Sequence, residues 1–152
     1  MVLANGKSVL RQKRTSEAAQ TVDYRALSDF RFAIRKFLAF SQEAAASAGL
    51  TSRQHQALLT IRGLSDGNGV PIGLLAERLL VRQHTAVELV DRLERSALVR
   101  RKHDVRDRRR VLVSLTAKGE QRLGSLSAVH LAELRSMAPA LVTVLRQVQT
   151  GL

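Results

Sequence analysis

The stretch from Lys102 to Thr116 constrains the fold of this 152-residue chain more than any other. It reads Lys102-His103-Asp104-Val105-Arg106-Asp107-Arg108-Arg109-Arg110 and runs straight into Val111-Leu112-Val113-Ser114-Leu115-Thr116. Two strand-like segments, 98–102 and 110–115, flank a short loop crowded with arginine. The second segment has the β-branched, apolar character that a strand packed on a core requires. A basic two-stranded ribbon suits a nucleic-acid backbone, because guanidinium groups pair with phosphate and fit a narrow minor groove. Asp104 and Asp107 matter as much as the arginines. By bidentate hydrogen bonds they brace neighbouring guanidiniums, so the arginines are aimed.

The segments before this ribbon are helical. Asp23 is a plausible N-cap, after which Leu27, Phe30, Ile34, Phe37 and Leu38 recur at spacings of three and four and define one apolar stripe. Phe32 and Phe40 lie off that stripe, so the helix has apolar character on more than one face. Thr51-Ser52-Arg53-Gln54 fits a capping box and predicts a helix from Ser52 to about Leu64. Ser65 to Gly69 is loop, and Val70-Pro71-Ile72 a short extended piece. Two short helices follow. One, from about Gly73 to Leu80, turns Leu75, Ala76 and Leu79 inward. The other, Gln83 to Ser96, has Ala86, Leu89, Val90 and Leu93 inside and a polar, basic outer face. Two such helices with a tight turn form a helix-turn-helix, and with the ribbon they form a winged helix. Thr116 is expected to cap a helix to Met137. Pro139 is expected to break it, and 140–149 to form a last helix.

The fold class predicted is therefore mainly α with a small β-hairpin wing, a winged helix-turn-helix flanked by dimerisation helices. Residues 1–20 read as a flexible basic arm, with Lys7, Arg11, Lys13 and Arg14 and ordinary disorder the better expectation than a minor-groove role. Residues 21–152 read as one domain. In it about 51–116 form the winged helix-turn-helix, and about 23–48 and 117–150 form helices with more apolar face than one small domain can bury. That surplus argues for a homodimer.

Charge supports the same direction. The formal net charge is +12, which implies an anionic partner, with nucleic acid ahead of a membrane surface. Residues 77–110 hold eleven Lys and Arg against six Asp and Glu, and residues 1–15 hold four Lys and Arg with no acid. No cysteine occurs, which excludes disulfides and thiolate metal sites. No apolar run approaches the eighteen or so residues of a membrane span, and the N-terminus lacks the apolar core of a signal peptide, so a cytoplasmic protein is expected.

The runs Leu75-Ala76-Glu77-Arg78-Leu79, Leu89-Val90-Asp91-Arg92-Leu93-Glu94 and Leu98-Val99-Arg100-Arg101 resemble the MarR family of winged-helix transcription regulators. Asp104-Val105-Arg106-Asp107-Arg108-Arg109 is similar to that family's wing signature, and Leu115-Thr116-Ala117-Lys118-Gly119 to its strand-to-helix junction. The likeness covers roughly residues 23 to 150. It implies a homodimer whose first, fifth and sixth helices interlock, with a recognition helix in the major groove and a wing in the minor groove of double-stranded DNA. It also implies repression released by a small, often aromatic or phenolic, effector. Leu80 and Ala97 stand where the family frequently has Gly, and the expectation is that neither turn needs positive φ. Arg82 replaces a common Ser cap, which costs about 1 kcal/mol but places a guanidinium beside phosphates.

On this reading Arg82, Gln83, His84, Thr85 and Arg92 form the DNA-facing part of the recognition helix. Gln can pair with adenine and Thr can touch a thymine methyl or a phosphate. Arg106, Asp107, Arg108 and Arg109 form the wing, with Asp107 holding Arg108 or Arg109, and Arg106 pairing with Asp104 or a phosphate. Arg92, Arg100 and Arg101 are either phosphate contacts or partners in intramolecular ion pairs. Phe37, Phe40 and His55 are candidates for an effector pocket, against core packing for the phenylalanines. The four histidines are scattered, and no metal, cofactor or catalytic residue is expected. An enzyme, the first rival class, is disfavoured by the lack of a phosphate loop or a nucleophile in a recognisable setting. A basic adaptor binding RNA or protein, or an architectural DNA binder, is the rival. The scarcity of aromatics, with Tyr24 the only tyrosine and no tryptophan, disfavours RNA.

Overall fold

Side-chain caps mark where three of the described helices begin. The computed structural model describes residues 23–150, and the basic arm with Lys7, Arg11, Lys13 and Arg14 lies outside the described residues. In chain order the elements are α1 (Tyr24–Ser47), α2 (Ser52–Leu64), β1 (Val70–Pro71), α3 (Ile72–Arg78), α4 (Gln83–Arg95), β2 (Val99–His103), β3 (Val111–Leu115) and α5 (Ala117–Thr150). Asp23 Oδ1 accepts the Ala26 N–H at 2.9 Å and starts α1. Thr51 and Gln54 complete the capping box of α2, each side chain accepting from the other's backbone N–H. Thr116 Oγ1 accepts the Gly119 N–H at 3.1 Å to start α5, and its own hydroxyl donates to the Ala97 carbonyl at 2.6 Å.

Helix ends explain two departures from expectation. The C-termini of α1, α3 and α4 all close by the same double bond pattern. The pairs are Leu50 N–H to Ala45 O with Gly49 N–H to Ala46 O, Val81 to Ala76 with Leu80 to Glu77, and Leu98 to Leu93 with Ala97 to Glu94. This is the Schellman arrangement, which requires a left-handed residue just beyond the cap. Gly49 meets the requirement freely at φ 73°, whereas Leu80 adopts φ 54° and Ala97 φ 57°. The expectation that these turns avoid positive φ is thus corrected: the hydrogen-bond closure imposes it whatever the side chain. Leu98 also belongs to this closure and not to the strand. The hairpin accordingly starts one residue later than predicted, at Val99 and Val111.

The described residues fall into two compact units, 38–133 and 23–37 with 134–150. In the first, Leu58, Ile61, Leu75, Leu93, Val70, Val90, Val99 and Val113 are fully buried, each contributing roughly 1.5–3 kcal/mol by its removal from water. The three-stranded antiparallel sheet has the order β1-β3-β2. Val70 pairs with Val113, and β2 runs along β3 from Val99 opposite Leu115 to His103 opposite Val111. The two-residue β1 therefore gives β3 a neighbour on each side and makes it the central strand.

In the second unit Ala26, Met137 and Val144 are buried, while Tyr24, Leu27, Phe32, Ile34, Leu134, Val142, Leu145 and Val148 stay exposed. Pro139 lies inside α5 and does not end it, so the fifth and sixth helices of the expected pattern are one 34-residue helix. A proline removes one backbone donor and crowds the preceding turn. That local loss is outweighed by many helical bonds on each side. Thr143 Oγ1 bonds the Pro139 carbonyl at 3.0 Å. Joined in this way, α5 holds an 18-residue window of mean hydropathy 1.3, long and apolar enough by length and composition to cross a membrane. The sequence reading missed this window because Glu133, Arg135 and Pro139 interrupt every unbroken apolar run.

Candidate nucleic-acid interface

The α3–α4 pair is held from within by Leu75, Ala76, Ala86, Val90 and Leu93, all buried. That inner face fixes what α4 presents outward. Arg82, the N-cap residue, is exposed and makes no side-chain capping bond, since a guanidinium has no acceptor to offer the helix N–H groups. Gln83, His84 and Arg92 are exposed and Thr85 half-buried. Thr85, Glu88, Leu89 and Arg92 share one flank of α4. With Arg53 and Gln56 of α2 they line a groove of about 360 Å³. The sequence did not single out Arg53 or Gln56, although their position in the first turns of a capped helix was legible.

The other flank of α4 is occupied by the hairpin. Arg101, in mid-β2, donates from Nη2 to Asp91 Oδ1 and from Nη1 to Glu94 Oε2, both at 2.5 Å. Nη2 also reaches the Val87 carbonyl at 3.3 Å, and the Arg101 N–H bonds Glu94 Oε1 at 3.3 Å. The open choice for Arg101 thus resolves to an intramolecular ion pair. Burial alone would lower its guanidinium pKa, but Asp91 and Glu94 more than offset that and hold it above its ordinary value. Arg100 instead bonds Ser114 Oγ across the ribbon at 3.3 Å.

The loop of the ribbon is ordered by carboxylates. Asp107 Oδ1 accepts both the Arg109 N–H and its Nε–H at 3.1 Å. These bonds hold the Asp107 carboxyl below the usual carboxylate range. Asp104 differs from expectation. Its Oδ1 accepts the Arg106 backbone N–H at 2.9 Å, an Asx turn, and its ion pair is with Arg110 at 3.7 Å, not with the Arg106 guanidinium. One Asp104 oxygen is engaged in the local turn and the other faces Arg110. His103 Nδ1–H donates to the Arg108 carbonyl at 2.9 Å. Arg106, Arg108 and Arg109 remain exposed, and so does Val105, at 96%.

Of the residues suggested for an effector pocket, Phe40 and His55 meet at a third residue that the sequence reading left aside. The ring centroids of Phe40 and His130 lie 5.7 Å apart, edge to face, and those of His55 and His130 4.4 Å apart. His130 Nδ1–H donates to the Leu126 carbonyl at 2.7 Å, which leaves Nε2 to accept from the Ser41 hydroxyl at 2.8 Å. Burial, and then the neighbouring His130, push the His55 pKa below its ordinary value. Phe37 belongs to the other unit. Among the described residues no cluster of three or more His, Asp or Glu has metal-holding geometry.

Comparison with known proteins agrees with this geometry. The sequence profile of the MarR family matches residues 48–110. The transcriptional regulator HosA of Escherichia coli is 38% identical over 65 residues, which is 43% of this chain and 48% of HosA. The chain thus aligns with about half the length of that curated relative. Among solved structures, CouR of Rhodococcus jostii, bound to p-coumaroyl-CoA, is 27% identical with a TM-score of 0.64, covering 76% of this chain and 80% of CouR. A variant of MepR of Staphylococcus aureus, bound to an oligodeoxyribonucleotide, is 20% identical with a TM-score of 0.62, covering 78% and 83%. The matched segment carries the helix-turn-helix and most of the arginine ribbon, and over that segment the chain is similar to the MarR family.

Proposed function

We propose that the protein is a sequence-specific transcription regulator of double-stranded DNA, a homodimer that represses from a pseudo-palindromic operator. The observation that carries this is one surface with two chemistries. Helix α4 exposes Gln83 and His84 with Thr85 in its first turn, and the ribbon beside it exposes Arg106, Arg108 and Arg109 on a loop ordered by Asp104 and Asp107. The first set suits base edges in a major groove, with Arg82 and Arg92 at backbone phosphates. The second suits a minor groove, where the narrowed channel attracts guanidinium. MepR, of similar fold, is described with DNA bound.

The dimer is supported by the second unit, whose exposed Leu27, Phe32, Ile34, Leu134, Val142 and Leu145 are too many apolar side chains to leave in water. A second copy of the chain covers them better than a bilayer does. Glu133 and Arg135 sit in the middle of the apolar part of α5, and charges there cost at least about 2.5–3.5 kcal/mol each in a membrane. Two reading heads related by a two-fold axis predict half-sites about one helical turn apart. For an effector, Phe40 and His55 are the residues offered to a small aromatic or phenolic compound, and CouR is described with p-coumaroyl-CoA.

Selection of bound sites from a random duplex library at physiological salt tests the reading. The expected result is an enriched inverted repeat. Salt-sensitive binding without a motif would leave an architectural DNA binder, and no duplex binding would favour an adaptor that engages RNA or protein.

A further inference from the structure

We infer that Arg101 is a positioning residue, locking the wing to the flank of the recognition helix so that the two grip DNA as one body. This rests on the duplex-binding reading and adds to it the element that couples the two contacts.

The arrangement is specific. Val87, Asp91 and Glu94 follow one another at spacings of four and three, so all three lie along the same flank of α4. Each offers an oxygen to the single guanidinium of Arg101. A planar fork with charge-assisted bonds at both ends fixes orientation as well as distance, which an ammonium could not do. Glu94 also accepts the Arg101 backbone N–H, so strand and side chain are both tied to the helix. The Arg101 side chain is only 24% exposed, against 91% for Arg109 at the loop. Because Arg101 pairs with Val113 in mid-ribbon, the clamp sits upstream of the whole loop that carries Arg106 to Arg109.

Electrostatics gives the clamp a second consequence. Asp91 and Glu94 lie on the helix that reads the DNA, where bare carboxylates would repel phosphate. Their pairing with Arg101 cancels that repulsion while Arg108 and Arg109 stay exposed at the loop. A direct phosphate contact by Arg101 would require those acids to be released.

The decisive variant is Asp91→Ala/Glu94→Ala, which raises the net charge by two and leaves every arginine in place. Binding is measured by fluorescence anisotropy on the full-length protein, with the inverted-repeat duplex recovered from the library and a salt series. Simple electrostatics predicts tighter binding. Positioning predicts affinity weakened tenfold or more, with loss of hydroxyl-radical protection in the minor groove where the wing sits. In an Arg101→Leu background, Arg109→Ala should then add little, whereas Gln83→Ala should keep its full effect. Arg101→Lys should rescue only partly. Tighter binding by the Ala pair, or an Arg101→Leu loss that is additive with Arg109→Ala and lowers the salt slope by about one, overturns the inference and makes Arg101 a phosphate contact. If the wild type binds no duplex at all, the DNA reading fails and this inference falls with it. Loss in the Ala pair while wild type binds tests the clamp alone.

Discussion

His55 and His130 stack 4.4 Å apart, centroid to centroid, although 75 residues separate them in the chain. Both are buried. Both ring nitrogens of His130 are engaged, Nδ1 with the Leu126 carbonyl and Nε2 with the Ser41 hydroxyl. A proton on His55 would place a charge in a desolvated site against that ring, so folding disfavours it and lowers its pKa from 6.5. The linkage has a definite sign. Above the unfolded value of 6.5 both states are neutral and stability is complete. As pH falls below 6.5 and through the lower folded pKa, the unfolded state takes up the proton first and stability is lost. Urea midpoints should therefore fall between pH 7.5 and 5 for wild type and fall less for His55→Leu. Parallel curves would show that His55 is not the group responsible.

Leu80 and Ala97 occupy left-handed backbone that glycine adopts without steric cost. Neither contributes much packing, since Leu80 is 93% exposed and Ala97 is exposed as well. Leu80→Gly and Ala97→Gly should each stabilise the protein by about 1 kcal/mol, seen as a rise of roughly 2–4 °C in melting temperature for a chain of this size. Ser96→Gly is the control. Ser96 has φ −83°, so glycine there gains no relief and should lower the melting temperature.

The same two residues mark how far the sequence was legible. The capping box at Thr51–Gln54, the loop at Ser65–Gly69, the inward apolar positions of the two short helices and the β-branched second strand placed α2, α3, α4 and the ribbon within a residue or two, because each signal is local. The conformation at Leu80 was hidden because the Schellman closure, and not the residue type, sets φ. Pro139 misled for a related reason: the rule that proline ends helices describes a local cost, whereas the outcome depends on the helix on both sides. In the site, Asp107 and Arg109 are two residues apart and their bond was anticipated. Arg101 with Asp91 and Glu94 spans two elements, so its pairing depended on how the ribbon folds back on α4. The meeting of His55 and His130 depends on packing between α2 and α5 and left no trace in spacing.

Gly119 lies where α5 passes the end of α4. A Cβ built there would overlap the Leu98 carbonyl oxygen, which already accepts the Thr116 N–H at 3.0 Å. Backbone cannot retreat as a flexible side chain can, so Gly119→Ala should destabilise by more than about 2 kcal/mol despite alanine's better helix propensity. Gly124, in the same helix, meets nothing within 4 Å, and Gly124→Ala should stabilise by up to about 1 kcal/mol. Opposite signs from two identical substitutions five residues apart would isolate the close approach. A neutral Gly119→Ala in denaturant titration would show that the Leu98 turn can move.

Arg109 and Gln83 should fail in different ways. Arg109 is 91% exposed and aimed by Asp107 through its Nε–H, a geometry suited to phosphate or a narrow minor groove. Arg109→Ala should weaken duplex binding for all sequences alike and reduce the salt slope by about one. Gln83→Ala should leave the salt slope unchanged and relax preference at one base position in each half-site, at a cost of about 1–3 kcal/mol for the preferred base. Asp107→Ala separates aim from charge. It removes a negative group, which alone would favour DNA, yet frees the Arg109 side chain, so a net loss of affinity smaller than that of Arg109→Ala is expected. If Asp107→Ala binds more tightly than wild type across the salt series, the carboxylate does not aim Arg109 in the complex. If Arg109→Ala binds like wild type, the wing tip does not touch DNA.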